Sequence, residues 1–263
     1  MRKLFLLLII PFISYSFLLG KENSGVNCNS YEDRTNPPNV IIIYTDDLGY
    51  GDLGCYGNED INTPNIDNLA SNGCLFTDAY VPAAVCTPSR YGLLTGQYPW
   101  RTFLKKGVIA DSPSLIDPKR YTLPKLFKDA GYVTAAIGKW HLGFGNDRNA
   151  EINYNEPVVP GPNEVGFDYF FGLPVGHFFP PYVYMRNHLV VGLEEDDPIR
   201  IIRPDEGKPY QEGGENARID REEVSVVLFD EARSCIEENK SNPFFLYLST
   251  SKPHTPFDRH ENF

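Results

Sequence analysis

Hydrophobic positions fall along the chain in two patterns. Val40-Ile41-Ile42-Ile43-Tyr44, Tyr132 to Ile137 and Phe244-Phe245-Leu246-Tyr247-Leu248 are nearly continuous apolar runs. Short runs rich in β-branched and aromatic residues mark strands buried on both faces, as in a parallel sheet. Between them the pattern turns helical. Thr63-Pro64 predicts a helix start, with Thr63 as N-cap and Pro64 at the first helical position. Ile66, Leu69 and Ala70 form that helix's apolar face, and Gly73 is its stop. A second helix is predicted from about Leu123 to Ala130, capped by Thr122 and ended by Gly131. The clearest covers about Arg221 to Glu238, where Val224, Val227, Leu228, Ala232, Cys235 and Ile236 recur at helical spacing. Asp220 and Glu223 suit its N-cap and box partner, and Cys235 is expected as a buried structural thiol.

This alternation predicts an α/β fold, a mostly parallel sheet flanked by helices. Residues 145–215 depart from it. They are rich in Pro, Gly, Asn and acidic residues with aromatic clusters such as Phe167 to Phe171, and are expected to be mainly long loops carrying short strands. At the other end, Arg2 and Lys3 precede an apolar run from Leu4 to Leu19, and Ser14-Tyr15-Ser16 offers a cleavage pattern. Residues 1–20 are therefore expected to be a signal peptide, 21–38 a linker and 39–263 the folded domain of an exported protein, periplasmic or extracellular. The formal charge of −11 speaks against a nucleic-acid surface, yet allows an anionic substrate held by a few local cations or a metal. Five cysteines leave at least one without an intrachain partner.

Chemistry gathers at the strand ends, where α/β folds deliver functional side chains. The first strand ends in Asp46-Asp47, the second in Lys139-Trp140-His141, the third in Lys252-Pro253-His254. Adjacent carboxylates suit a hard divalent cation, Ca2+ or Mg2+. No His-Cys spacing completes a tetrahedral zinc site. Cys86 lies just before Thr87-Pro88-Ser89, a helix start, where free N–H groups and the helix dipole favour an anion. Arg90, one turn on, shares the face of Cys86. From the residues alone, Cys86 could equally be a packed or disulfide-bonded cysteine.

The segment Cys86-Thr87-Pro88-Ser89-Arg90, continuing to Leu94-Thr95-Gly96, resembles the signature of the type I, formylglycine-dependent sulfatases, of the alkaline-phosphatase-like superfamily. Asp46-Asp47-Leu48-Gly49, Gly138 to Gly143 and Pro243 to Tyr247 leading to His254 extend the resemblance in the same order. It implies a sulfuric ester hydrolase. Asp46, Asp47 and an oxygen of the modified Cys86 would bind Ca2+. A maturation enzyme would oxidise Cys86 to Cα-formylglycine, whose gem-diol attacks sulfur, forms a sulfated intermediate and then expels sulfate. Arg90 would hold the diol, Lys139 and His141 would stabilise diol and sulfate oxygens, and His254 would contact sulfate or protonate the leaving alcohol.

Gly176 falls where the family often places a polar substrate contact; His177 beside it is kept as a candidate contact. The family's further metal ligands, an Asp-Asn pair, and a second lysine lie beyond the region matched, so the chain is expected to be the N-terminal portion of such an enzyme. The implied substrate is a sulfated carbohydrate or aryl sulfate, with no nucleic-acid partner. The alternatives are a phosphatase or phosphonate hydrolase of the same superfamily, which a Ser or Thr at position 86 would favour, and a non-catalytic binding protein.

Overall fold

The computed structural model describes residues 4–7, 37–103, 112–147 and 151–258. Its centre is a seven-stranded sheet. In chain order the strands are β1 (Leu4–Leu7), β2 (Asn39–Asp46), β3 (Val133–Lys139), β4 (Tyr169–Leu173), β5 (Met185–Arg186), β6 (Leu189–Val190) and, after the separate two-stranded ribbon of β7 (Arg200–Ile202) and β8 (Tyr210–Glu212), β9 (Phe244–Pro253). The spatial order is β1-β2-β9-β3-β4-β5-β6. β1 to β4 and β9 pair in parallel; the short β5 and β6 add an antiparallel edge. The last long strand thus sits in the middle, between β2 and β3.

Side-chain alternation along these strands builds two cores. Ile42 and Tyr44, Ala136, and Phe245 and Tyr247 face one side, with Tyr91, Leu94 and Phe127. Ile41, Ala135, Ile137, Leu246 and Leu248 face the other, under Val224, Leu228, Ala232 and Cys235. The first layer carries α2 (Cys86–Thr95) and α3 (Leu123–Asp129), the second α5 (Val224–Asn239). α1 (Pro64–Asn72) has no fully buried residue, and α4 (Pro162–Val165) is a single turn. The expected α/β architecture with helices on both faces is what forms, and Cys235 is buried as expected.

Three expectations are refined. Within 145–215, Tyr169–Leu173 is one of the short strands, β4, parallel to β3; it is buried almost throughout because Phe170 enters one core and Phe171 and Leu173 the core under α5. α5 starts at Val224 rather than Arg221, with Glu223 as N-cap and no capping side chain. Asp220 instead accepts from the Glu222 N–H in the preceding turn. Thr63 does precede α1, but its hydroxyl receives the Gly54 N–H and donates to Asp67 instead of capping. The expected linker lies outside the described residues except at its end, and of the expected signal peptide only the backbone of β1 is described; it pairs with the outer edge of β2.

Asp168 ties the layers together at the start of β4. Its Oδ2 accepts from the Thr134 N–H and hydroxyl, both at 3.0 Å, and its Oδ1 lies 2.6 Å from Lys128 Nζ on α3. Burial raises the Asp168 pKa, but Lys128 and Thr134 outweigh it and hold the carboxyl below its usual value. A depressed carboxylate stabilises the fold above its unfolded pKa, about 4, and loses that contribution as pH falls through the lower folded value. Asp168→Ala should cost about 1 kcal/mol near neutral pH, a modest figure because the ion pair is partly solvated. Urea unfolding should show the gap from wild type shrinking below about pH 4. An equal gap at low pH would mean that the ionised carboxylate is not its source.

Candidate functional site

The strand order explains why distant motifs meet. β2, β9 and β3 are adjacent and parallel, so their carboxyl ends lie side by side. Asp46 ends β2 opposite Pro253, Lys139 ends β3, and His254 follows β9. The same end receives the start of α2. Val85 is its extended N-cap, Cys86 its first residue, and the Ser89 N–H closes the first turn onto Val85 O at 3.1 Å. Pro88 has no N–H to leave unpaired in that first turn. Cys86 is half-buried while Thr87, Pro88, Ser89 and Arg90 are buried, so the helix start presents the cysteine and hides what supports it.

At the centre is Asp46, 2% exposed. Its Oδ1 lies 2.9 Å from Arg90 Nη2 and its Oδ2 2.6 Å from Lys139 Nζ. Burial disfavours its charge, but the two cations prevail and hold the carboxyl below its usual pKa. Lys139 is pressed down by burial and by Arg90, against the pull of Asp46. Arg90 is wholly buried. Burial alone would lower its pKa; Tyr247 and Asp46 raise it, and it stays charged. Its Nη1 donates to Ser249 Oγ and, at 3.2 Å, to Lys139 O, and Ser249 Oγ in turn donates to Lys139 O at 2.8 Å. The guanidinium lies 5.6 Å from the Tyr44 ring centroid, and the Tyr44 hydroxyl bonds Ser89. Burial and neighbouring Tyr247 push the Tyr44 phenol up to about 12, so it remains a neutral hydroxyl.

Asp47 and His141 both adopt positive φ, 63° and 56°. Side chains other than glycine's rarely take this left-handed conformation, and where they do it marks a site that the surrounding structure enforces. His141 is held by its N–H on Pro174 O at 3.0 Å and by the Thr87 hydroxyl on its carbonyl at 3.1 Å. Asp47 is half-exposed, and its Oδ2 lies 3.4 Å from His254 Nε2. His254 Nδ1 meets Thr255 O at 2.5 Å. A carbonyl only accepts, so Nδ1 carries a proton and Nε2 is the nitrogen left for chemistry. His177 stands behind this loop, fully buried. Its Nε2 reaches Pro256 O at 3.3 Å and its Nδ1 meets Ser251 Oγ at 2.6 Å. The same reasoning puts the His177 proton on Nε2, with Ser251 donating to Nδ1. Burial and the charge of Lys252 lower its pKa to about 4, so the ring is neutral and both nitrogens are used inside the protein.

The structure therefore brings Asp46, Asp47, Arg90, Lys139 and His254 into linked contact, with Cys86 at the adjoining helix start and His141 locked beside it. His177 supports the His254 loop from within. Sequence reasoning passed over Ser249, Tyr44, Tyr247 and Ser89. The signal was present: Ser249 is a polar residue directly after an apolar strand, and the two tyrosines are the residues with polar tips in otherwise apolar strands. The carboxylate oxygens of Asp46 and Asp47 fit Ca2+ or Mg2+ in kind. Among the described residues they form no cluster of three or more acidic, His or Cys ligands. They can supply part of a cation's shell and not the whole.

Comparison with known proteins gives the family. The model of the family described as Sulfatase matches residues 38–263. The chain is 35% identical to an N-acetylgalactosamine-6-O-sulfatase of Bacteroides thetaiotaomicron, an alignment covering 90% of this chain and 53% of that protein. It is 34% identical to human arylsulfatase A over 84% of this chain and 42% of the relative. Among solved structures, one described under the metabolism of multiple glycosaminoglycans by Bacteroides thetaiotaomicron superposes with a TM-score of 0.82 at 35% identity, over 87% of this chain and 54% of the other. A sulfatase from Pseudoalteromonas sp. gives 0.62 at 28% identity, over 88% and 47%. The chain spans about half the length of the curated relatives it matches.

Removing Arg90 tests the buried cluster. Arg90→Met should destabilise the protein by about 3–5 kcal/mol, because Asp46 keeps only Lys139 in a site closed to water. Chemical denaturation measures it. A loss below about 1 kcal/mol, the range of exposed pairs, would show that the guanidinium does not hold Asp46.

Proposed function

The chain belongs to the sulfatase family, and from that premise we propose that it hydrolyses sulfate esters, using Cys86 after its oxidation to Cα-formylglycine and a cation held by Asp46 and Asp47. The observation that carries this reading is the meeting of three strand ends with one helix start. Asp46, Lys139 and His254 arrive from β2, β3 and β9 where α2 presents Cys86. When in place, the modified residue supplies a hydroxyl nucleophile and the cation supplies Lewis-acid charge.

The chain's own residues account for the rest. Lys139 has three donors and gives one to Asp46, which leaves two for sulfate oxygens. Arg90 is enclosed, so it acts from beneath: it keeps Asp46 charged and ties the end of β3 to β9 through Lys139 O and Ser249. The carbonyl of Thr255 holds the His254 proton at Nδ1, so the imidazolium can release its other proton only from Nε2, toward the leaving alcohol. His141, its backbone held by Thr87 and Pro174, is the residue we assign to the sulfate oxygens beside Lys139.

The relatives named for N-acetylgalactosamine-6-sulfate esters and for glycosaminoglycan metabolism favour a sulfated carbohydrate as substrate, with aryl sulfates as the second class to test. The basic start and apolar run at residues 1–19 support export, to the periplasm or beyond.

The first test is mass spectrometry of the peptide carrying Cys86, after expression with a formylglycine-generating enzyme. Its mass should fall by about 18 Da as hydrogen sulfide is lost and oxygen gained. An intact thiol would end the formylglycine mechanism for this chain. In the matured full-length gene product, Cys86→Ala should abolish sulfate release while a sulfate-ester ligand still binds. Asp47→Ala should lose both bound Ca2+ and turnover; unchanged Ca2+ content would remove Asp47 from the cation site.

A further inference from the structure

Phe178 touches two of the site's charged or protonatable groups without being a site residue in the reading above. Its ring stacks on the His254 imidazole, centroids 4.3 Å apart and planes 8° from parallel. Lys139 Nζ lies 5.4 Å from the same ring's centroid. The buried His177 meets Phe178 edge to face at 5.3 Å. The ring is thus braced by His177 and is itself half-buried.

Gly176 makes room for it. A Cβ at position 176 would come within 3.2 Å of Phe178 Cε1 and within 3.6 Å of Lys139 Nζ. The space beside the lysine that a side chain at 176 would enter is taken by the phenyl ring. His254 also needs a support of this kind. Of its hydrogen bonds, the one to Thr255 comes from the next residue and fixes one nitrogen, not the plane of the ring. A stacked aromatic does fix the plane, and the same ring attracts the lysine ammonium by a cation–π contact.

We propose that Phe178 is the positioning residue of His254: its ring sets the imidazole plane so that Nε2 faces the reacting ester, and it covers Lys139 in place of a side chain at Gly176. This rests on the sulfatase reading for its consequence in turnover, but the stack itself is testable without any substrate. In the full-length protein labelled on histidine, the His254 ring signal is identified by its loss in His254→Asn. The face of Phe178 should hold that signal upfield. Phe178→Leu, similar in bulk but without a π face, should move it downfield, whereas Phe178→Tyr should leave it in place. Gly176→Ser should reproduce the downfield movement by pushing the ring aside.

In the matured enzyme, Phe178→Leu should lower kcat up to about tenfold, the worth of one aromatic pair, while KM changes little, and Phe178→Tyr should restore it. A His254 signal that ignores Phe178→Leu overturns the proposal. So does a signal that moves while kcat stays at the wild-type value. If the wild-type protein turns over no sulfate ester, the functional reading fails, and the signal alone decides whether Phe178 orients His254.

Discussion

The site depends on one buried carboxylate. Asp46 sits at the end of β2 with almost no water, and a lone charge there would cost several kcal/mol. Two cations make it tenable, Arg90 from α2 and Lys139 from β3. Each is buried too, so each needs Asp46 as much as it needs them. The three charges therefore fix the relative positions of two strand ends and a helix. Arg90 extends the constraint to β9 through Ser249. A displacement of any of these elements would leave a charge buried without its partner, which is why the groups around Asp46 can rest on this frame.

The frame is stiff at the back and open at the front. Behind Cys86 lie Thr87, Pro88, Ser89 and Arg90, all buried, with the Thr87 hydroxyl reaching across to His141 O. In front, Cys86 and His254 are partly exposed and Asp47 half-exposed. The acidic composition of the chain has little bearing on this region, because binding an anion depends on local field. Lys139, which gives one donor to Asp46, and the N–H groups opening α2 supply positive charge on this open side.

Much of this was legible in the chain because buried parallel strands have a distinctive signature. The three apolar runs marked β2, β3 and β9, and the polar residues just after them marked the site. Helix starts were legible where Pro and Thr set them, as at Pro64 and Leu123. β4 was harder to see. Tyr169-Phe170-Phe171-Gly172-Leu173 carries a glycine and lies among Pro- and Gly-rich segments, so its neighbours spoke for loop; its place beside β3 comes from tertiary pairing. The start of α5 moved because Asp220 can bond its own backbone two residues on, and in competition with the helix that local bond won. The buried partners of Arg90 were hidden for a different reason. Ser249 and Tyr247 are far from Arg90 in sequence, and only the sheet order places β9 between β2 and β3.

The same distinction bears on two histidines, His177 and His254. By sequence both are loop histidines next to aromatic or proline residues, and either could have faced a substrate. The carbonyls around them separate their roles. His177 spends Nε2 on Pro256 O and Nδ1 on Ser251, and burial keeps it neutral, so it can brace a loop but cannot shuttle a proton near neutral pH. His254 holds Nδ1 on Thr255 O and pairs Nε2 with the half-exposed Asp47. The buried ring holds the loop from within, and the ring on that loop keeps Nε2 at the partly exposed side, engaged by Asp47 at 3.4 Å rather than by a buried hydrogen bond.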